Sequence, residues 1–158
     1  MTVVTVVTVG ASSQTWWMEM NGPWSLTVAW DWVEEVARYA DASVRGTDSW
    51  VPPVEEELVL AARASALSQW YPFTSHNYLR FVDRPTFWMP GAQDNANELA
   101  GSISFGTDGA DNRPVFRVWS GLLLRKPDPV LVLATPNAVE AVDALVGLLP
   151  AHDAESRP

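Results

Sequence analysis

Apolar residues occupy every second position on both sides of an Asn-Gly pair near the start of the chain. Trp16, Met18 and Met20 precede Asn21-Gly22, and Trp24, Leu26, Val28 and Trp30 follow it. Asn-Gly between two alternating runs is a strong hairpin signal, because both residues tolerate the positive φ of a tight turn. The pattern therefore predicts a β-hairpin with Trp16, Trp24 and Trp30 on one face. The Val/Thr run of residues 1–9 favours a strand or a loose N-terminal arm.

Apolar residues recur at helical spacing in three later segments. Asp31 begins a capping box, and the apolar positions behind it predict a helix that Gly46 ends. A second helix is predicted over residues 54–70, where three glutamates in the first turn complement the helix dipole. A third helix is predicted over residues 136–149, with Thr135 as its cap and a proline at its first position.

Strand-like alternation fills the region between the second and third helices. His76, Tyr78 and Arg80 share one parity, and Leu79 and Phe81 share the other. This spacing predicts a strand with a polar side and with an apolar side that packs under the second helix.

The order of these elements predicts a single domain. Further strands are predicted around Ile103, over residues 115–119 and over residues 130–134. We expect one α+β domain over residues 1–150, with an antiparallel sheet and with helices packed mainly on one face. Residues 151–158 are expected to form a disordered tail.

The composition restricts the classes of function. The chain has 158 residues, no cysteine and a net charge of −9 at pH 7. The lack of cysteine excludes disulfides and thiolate nucleophiles, and the acidity argues against nucleic acid as a partner, because phosphate binding needs clustered lysine and arginine. No stretch is apolar over the roughly 18–20 residues of a membrane span. We therefore expect a cytoplasmic protein with no membrane partner.

Motifs for metals and nucleotide cofactors are missing from the sequence. His76 and His152 are the only histidines, and they lack the spacing of a metal site. The three glutamates at residues 55–57 are interpreted as the solvated start of a helix. There is no glycine-rich dinucleotide motif and no Walker loop, so we expect no metal and no cofactor.

The segment from Trp70 to Phe81 contains the run Tyr71-Pro72-Phe73-Thr74-Ser75-His76. It resembles the Phe/Tyr-Pro-x-Thr-Ser-His-x-x-Leu-x-Phe stretch of a small actinobacterial family labelled natural product biosynthesis protein, whose function is undefined. The part of the chain from residue 114 to residue 150 is also similar to that family's ending, so the resemblance covers residues 54–150. It implies a setting in specialised metabolism. It implies neither a reaction nor a set of catalytic residues.

His76 is the only histidine outside the tail and is therefore the candidate for proton transfer near neutral pH. With Tyr78 and Arg80 on its side of a strand, it would combine a proton shuttle, a hydroxyl and a fixed cation. These three residues are the candidate catalytic group. The alternative is that Ser75 and His76 hydrogen-bond to the backbone at a turn from helix to strand.

Nine tryptophans exceed what the core of one small domain needs. Some are expected to line a pocket or an interface, and the others to lie in the core. The candidate ligand contacts are five tryptophans and one arginine: Trp16, Trp24, Trp30, Trp88, Trp119 and Arg117. Six basic residues also cluster in one part of the chain: Arg80, Arg84, Arg113, Arg117, Arg125 and Lys126. They suit anion capture, or they pair with the acidic first half of the chain.

Two hypotheses of function follow. The first is a protein of natural-product biosynthesis that binds a small molecule or modified peptide. If it is an enzyme, we expect cofactor-independent acid/base work such as cyclisation, isomerisation or elimination. The second is a non-catalytic partner that escorts a biosynthetic enzyme or precursor peptide through its tryptophans. A homodimer and a complex with a biosynthetic enzyme are both left open.

Overall fold

The computed structural model describes residues 5–8, 15–18, 24–47, 54–85, 96–111 and 113–149. The strands are β1 (Thr5–Thr8), β2 (Thr15–Met18), β3 (Tyr71–Ser75), β4 (Tyr78–Val82), β5 (Gly101–Thr107), β6 (Pro114–Ser120) and β7 (Val130–Thr135). The helices are α1 (Leu26–Thr47), α2 (Val54–Arg63) and α3 (Ala138–Gly147), and a short 3-10 turn spans Ala66–Gln69.

Five of the strands form one antiparallel sheet in the order β3-β4-β5-β6-β7, so that each strand pairs with its neighbour in the chain. β1 and β2 pair antiparallel as a separate two-stranded sheet. The prediction of a mixed α+β fold with an antiparallel sheet is confirmed.

One face of the large sheet, which we call the front face, forms the core with the helices. It carries large apolar side chains that are fully or almost fully buried: Leu79, Phe81, Ile103, Phe116 and Val118. α2 and α3 bury their own apolar residues in the same cluster, including Leu58 and Leu145. Leu79 and Phe81 therefore pack with the second helix, as their parity predicts.

The predicted hairpin of residues 16–30 is wrong. Its first strand is present as β2 but pairs with β1, and α1 begins at Leu26, within its predicted second strand. Ser25 starts the helix, with its Oγ accepting a hydrogen bond from the Val28 backbone N–H at 3.2 Å. The buried residues Ala29, Trp30, Val33 and Ala37 follow at helical spacing. The same apolar residues satisfy both periods at first, and the longer helical stripe decides the outcome. The Asn21-Gly22 turn lies outside the described residues.

The other two predicted helices are shorter than expected. α2 ends at Arg63, because Ser65 leaves the helical conformation and caps the following 3-10 turn through a hydrogen bond from the Leu67 N–H. α3 is capped by Asn137 rather than Thr135, since Asn137 Oδ1 accepts from the N–H groups of the first turn. The predicted tail at residues 151–158 falls outside the described residues.

α1 also caps the start of α2. The Asp41 carboxylate accepts hydrogen bonds from the backbone N–H groups of Glu55 at 3.2 Å and Glu56 at 2.7 Å. Burial and the nearby Asp41 charge raise the pKa of Glu55 to about 7. The start of α2 is therefore partly buried and hydrogen-bonded, and the interpretation as a solvated helix start is wrong for Glu55.

No described helix combines the length and apolarity that crossing a membrane requires.

Candidate ligand site on the back face of the sheet

The face opposite the core, which we call the back face, gathers most of the described candidate residues. Residues directly opposite each other on antiparallel strands share a face. Tyr78 of β4 pairs with Ser104 of β5, which pairs with Arg117 of β6, so the three form one row across the sheet. Ser102 pairs with Trp119 in the next row. Tyr78 of β4 therefore shares one surface with Arg117 and Trp119 of β6.

Arg80 lies on the same face and is held in a bidentate ion pair. Its Nε lies 2.6 Å from Glu98 Oε1, and its Nη2 lies 2.8 Å from Glu98 Oε2. The guanidinium also lies 5.0 Å from the centre of the Phe73 ring, which faces it from β3. Both donors of this fork and its charge are engaged, so Arg80 fixes the surface rather than offering a free cation.

Arg117 is the contrasting cation of the back face. Its side chain is exposed, and it makes no ion pair or hydrogen bond to any residue in the described ranges. The half-buried phenol of Tyr78, two strands away in the same row, also makes no hydrogen bond there. A positive charge and a hydroxyl are therefore available in one row, on either side of Ser104.

Trp119 supplies an apolar surface next to these groups. Its Nε1 donates a hydrogen bond to Ser104 Oγ at 3.0 Å, and the residue is half-buried. This bond fixes the orientation of the indole across the sheet, because the ring is anchored at both its Cβ and its nitrogen.

Ser102 lies beside Trp119 and has an unsatisfied hydroxyl. The residue is 2% exposed, and its Oγ has no hydrogen-bond partner among the described residues. An unpaired buried hydroxyl costs about 1–3 kcal/mol, so such a group is unusual without a reason. Ser102 is therefore the third polar group of the back face, after Arg117 and Tyr78, that lacks a partner among the described residues.

His76 is not on a strand, so the prediction that it shares strand parity with Tyr78 and Arg80 is wrong. His76 and Asn77 form the two-residue turn between β3 and β4, with φ angles of 51° and 63°. Histidine and asparagine are among the few residues that often adopt this left-handed conformation. Two consecutive positive φ values match the turn type that suits the twist of a tight hairpin.

The turn nevertheless keeps the imidazole close to the back face. His76 Nδ1 lies 3.0 Å from Ser75 Oγ, and Ser75 pairs with Tyr78, whose face it shares. His76 is exposed. The predicted backbone tie at a helix-to-strand turn is replaced by a side-chain contact at a strand-to-strand turn.

Two of the candidate tryptophans belong to the interior. Trp30 is buried in the main core, and its Nε1 donates to the Ser68 carbonyl at 3.1 Å. Trp24 is buried in a smaller cluster with Ala29, Phe73 and Val82, which covers the β3 side of the back face. The side chain of Trp16 and all of Trp88 fall outside the described residues.

The basic residues pair locally rather than with the acidic first half of the chain. Ion pairs join Arg80 to Glu98, Arg84 to Asp83, Arg113 to Asp111 and Lys126 to Asp128. Arg117 and Arg125 form none within the described part of the chain. Neither sequence interpretation predicted this division into paired and unpaired cations, because it depends on side-chain reach.

No protein-family model, curated protein or solved structure matches this chain. The described residues also contain no group of three or more histidine, aspartate or glutamate side chains placed to hold a metal ion. What the back face offers is hydrogen bonding, one unpaired guanidinium, an aromatic surface and a nearby imidazole. Sequence reasoning missed Ser102, Ser104 and Glu98, and only the strand register reveals them.

Proposed function

We propose that this protein binds a small molecule with an anionic group and a flat apolar body on the back face, in the setting of natural-product biosynthesis. The anion contacts the Arg117 guanidinium and the Tyr78 hydroxyl, and the apolar body lies against Trp119. The observation that carries this proposal is that Arg117 and Tyr78 lack partners among the described residues, on a face where Arg80 is held in a bidentate ion pair.

Any reaction on this surface is acid/base chemistry that needs no cofactor. His76 exchanges a proton with the ligand at the hairpin end of the sheet, where Tyr78 is the first strand residue after the turn. Arg117 holds the anion, which is the role that the sequence suggested for Arg80. A proton shuttle beside a held anion suits cyclisation, isomerisation or elimination of an anionic substrate.

The test is a binding titration with aromatic carboxylates, each paired with its neutral carboxamide, followed by calorimetry. We expect the carboxylates to bind more tightly than their amides, and Arg117→Gln to remove this preference. Arg125→Gln is the matched control, because Arg125 is also exposed and without a partner among the described residues. Equal effects of the two substitutions, or tighter binding of the amides, would contradict the proposal.

The escort hypothesis loses part of its basis. It relied on a surface of tryptophans, and two of the candidates, Trp24 and Trp30, are buried in the described structure. A tight stoichiometric complex with a biosynthetic enzyme that survives Trp119→Phe would favour the escort role over a small-molecule site.

A further inference from the structure

The two outer strands of the large sheet differ in how well their edges are protected from pairing with another strand. β3 carries Pro72 as its second residue, and proline lacks the N–H that an added strand would need. α1 also packs against β3, with Ala29 and Phe73 in one buried cluster. The β3 edge is thus protected by two devices that natural sheets use to prevent edge pairing.

The β7 edge is less protected, although α3 packs on its front face and a register shift interrupts its pairing with β6. β7 is the other outer strand, and within the described ranges only β6 pairs with it. Its six residues contain no proline and no charge. A row of backbone N–H and C=O groups on such an edge is a template for another strand.

The start of β7 also exposes apolar side chains on both of its faces. Val130, Leu131 and Val132 are 64%, 47% and 45% exposed. Val130 and Leu131 lie opposite Ser120 and Trp119 and so point to opposite faces, before the register shift at Val132 interrupts the alternation. Neither face is therefore covered at the start of β7. Val139 of α3, the helix that packs over β7, is exposed as well.

The charge pattern indicates what pairs with this edge. The chain carries a net charge of −9, yet no charged residue occurs from Pro129 to Val139. Most surfaces of so acidic a protein repel a second copy, and this edge does not. In antiparallel self-pairing, the same uncharged apolar residues of the two copies lie opposite each other. The edge is therefore complementary to itself.

We propose that β7 pairs antiparallel with β7 of a second copy, forming a two-fold dimer with one continuous sheet. The two-fold axis is perpendicular to the sheet and passes between the two paired strands, so the front faces of both copies lie on the same side. The two α3 helices then lie beside each other, with Val139 extending the apolar surface. The back-face site borders this interface without taking part in the strand pairing, since Leu131 and Ala134 of β7 lie opposite Trp119 and Arg117.

The first experiment measures the mass of the full-length protein in solution by light scattering. We expect a dimer that strengthens with added salt, because screening weakens the repulsion between two acidic copies. Val132→Lys should abolish the dimer. Leu60→Lys, at an exposed site of the same 45% exposure on α2, should leave it intact. A monomer at every concentration, or a dimer that survives Val132→Lys, would overturn the proposal.

The second experiment uses the lack of cysteine, since a single introduced cysteine forms a disulfide only between two copies. Residues opposite each other on antiparallel strands have Cα atoms about 4.5–5.5 Å apart, which suits a disulfide. Cysteine is introduced singly at Val130, Leu131 and Val132, and at Leu124 as the control. We expect one β7 variant to cross-link faster than Leu124→Cys. Leu124 is 98% exposed, so faster linking there would show random collision and would contradict the interface.

Discussion

The two faces of the large sheet are built from alternate residues of the same strands, and they differ in burial and polarity. On β4, Leu79 and Phe81 are fully buried on the front face, while Tyr78 and Arg80 lie half-buried on the back. The front face is entirely apolar at its centre, so its residues contribute through packing. The back face holds a complete ion pair beside polar groups without partners, and this mixture is typical of a binding surface rather than a core.

Truncation on the front face should give the largest loss of stability. Phe81→Ala removes a fully buried ring that also contacts Trp30, with centroids 6.2 Å apart. We expect the free energy of unfolding to fall by about 3–5 kcal/mol. Chemical denaturation of the purified variant measures this loss. If Phe81→Ala lowered the free energy of unfolding by less than the back-face substitutions do, the front face would not be the main source of stability.

The ion pair of the back face should matter less. Glu98→Gln leaves the half-buried Arg80 guanidinium without its anion, and we expect a loss of about 1–2 kcal/mol. Asp128→Asn is the control, because the Lys126–Asp128 pair is exposed and should contribute almost nothing. If both substitutions cost the same, Arg80 is an ordinary surface cation.

The pH dependence of stability should come from the helices and not from either face. The folded pKa of Glu55 is about 7, against 4.5 as its ordinary value, so the folded protein holds this proton more tightly than the unfolded chain. Its stabilising effect is complete below pH 4.5 and is lost as the pH rises to 7. After allowance for solvent screening, the change is on the order of 1 kcal/mol.

Glu55→Gln removes the titrating group and should reduce the fall in melting temperature between pH 4.5 and pH 7. Variants of either sheet face should retain the full slope. An unchanged slope in Glu55→Gln would show that this carboxyl titrates normally.

Two serines of the back face should respond in opposite directions. Ser102→Ala removes a buried hydroxyl without a partner and should raise stability by up to about 1 kcal/mol. Ser104→Ala removes the acceptor of the Trp119 indole and should lower it by about 1 kcal/mol. Melting curves of the two variants, which differ only in position along β5, check this. Destabilisation by Ser102→Ala would mean that its hydroxyl is satisfied after all.

The smallest effect on stability is expected at the turn. Residue 76 has a left-handed backbone, which glycine adopts without strain. His76→Gly therefore removes the backbone strain, whereas His76→Ala retains a strain of about 1 kcal/mol. Both remove the imidazole, so both should abolish proton transfer. Activity lost equally in the two variants, with different melting temperatures, would assign the imidazole to chemistry. Retained activity in His76→Gly would exclude that role.

Much of the sheet follows from the sequence, because Leu79 and Phe81 alternate with polar neighbours and leave only one face to bury. The turn at His76 does not, since a His-Asn pair is a weak turn signal compared with the Asn-Gly pair upstream. The alternation through Trp24 to Trp30 predicted a strand because the helical stripe becomes visible only when Val33 and Ala37 are included. The pairing of Arg80 with Glu98 cannot be predicted from the sequence pattern, because the two residues are eighteen positions apart in the chain.

The sequential pairing of β3 through β7 has a consequence for how the protein reaches its folded state. Each new strand joins the one made just before it, and the longest connection within the sheet is residues 83–100 between β4 and β5, so contact order within the sheet is low. Such sheets fold faster than those whose neighbouring strands are distant in sequence. On the ribosome, α1 and α2 emerge before the five-stranded sheet, and Trp30 cannot pack against that sheet until β4 follows. α3 emerges after β7, so the front face is covered last.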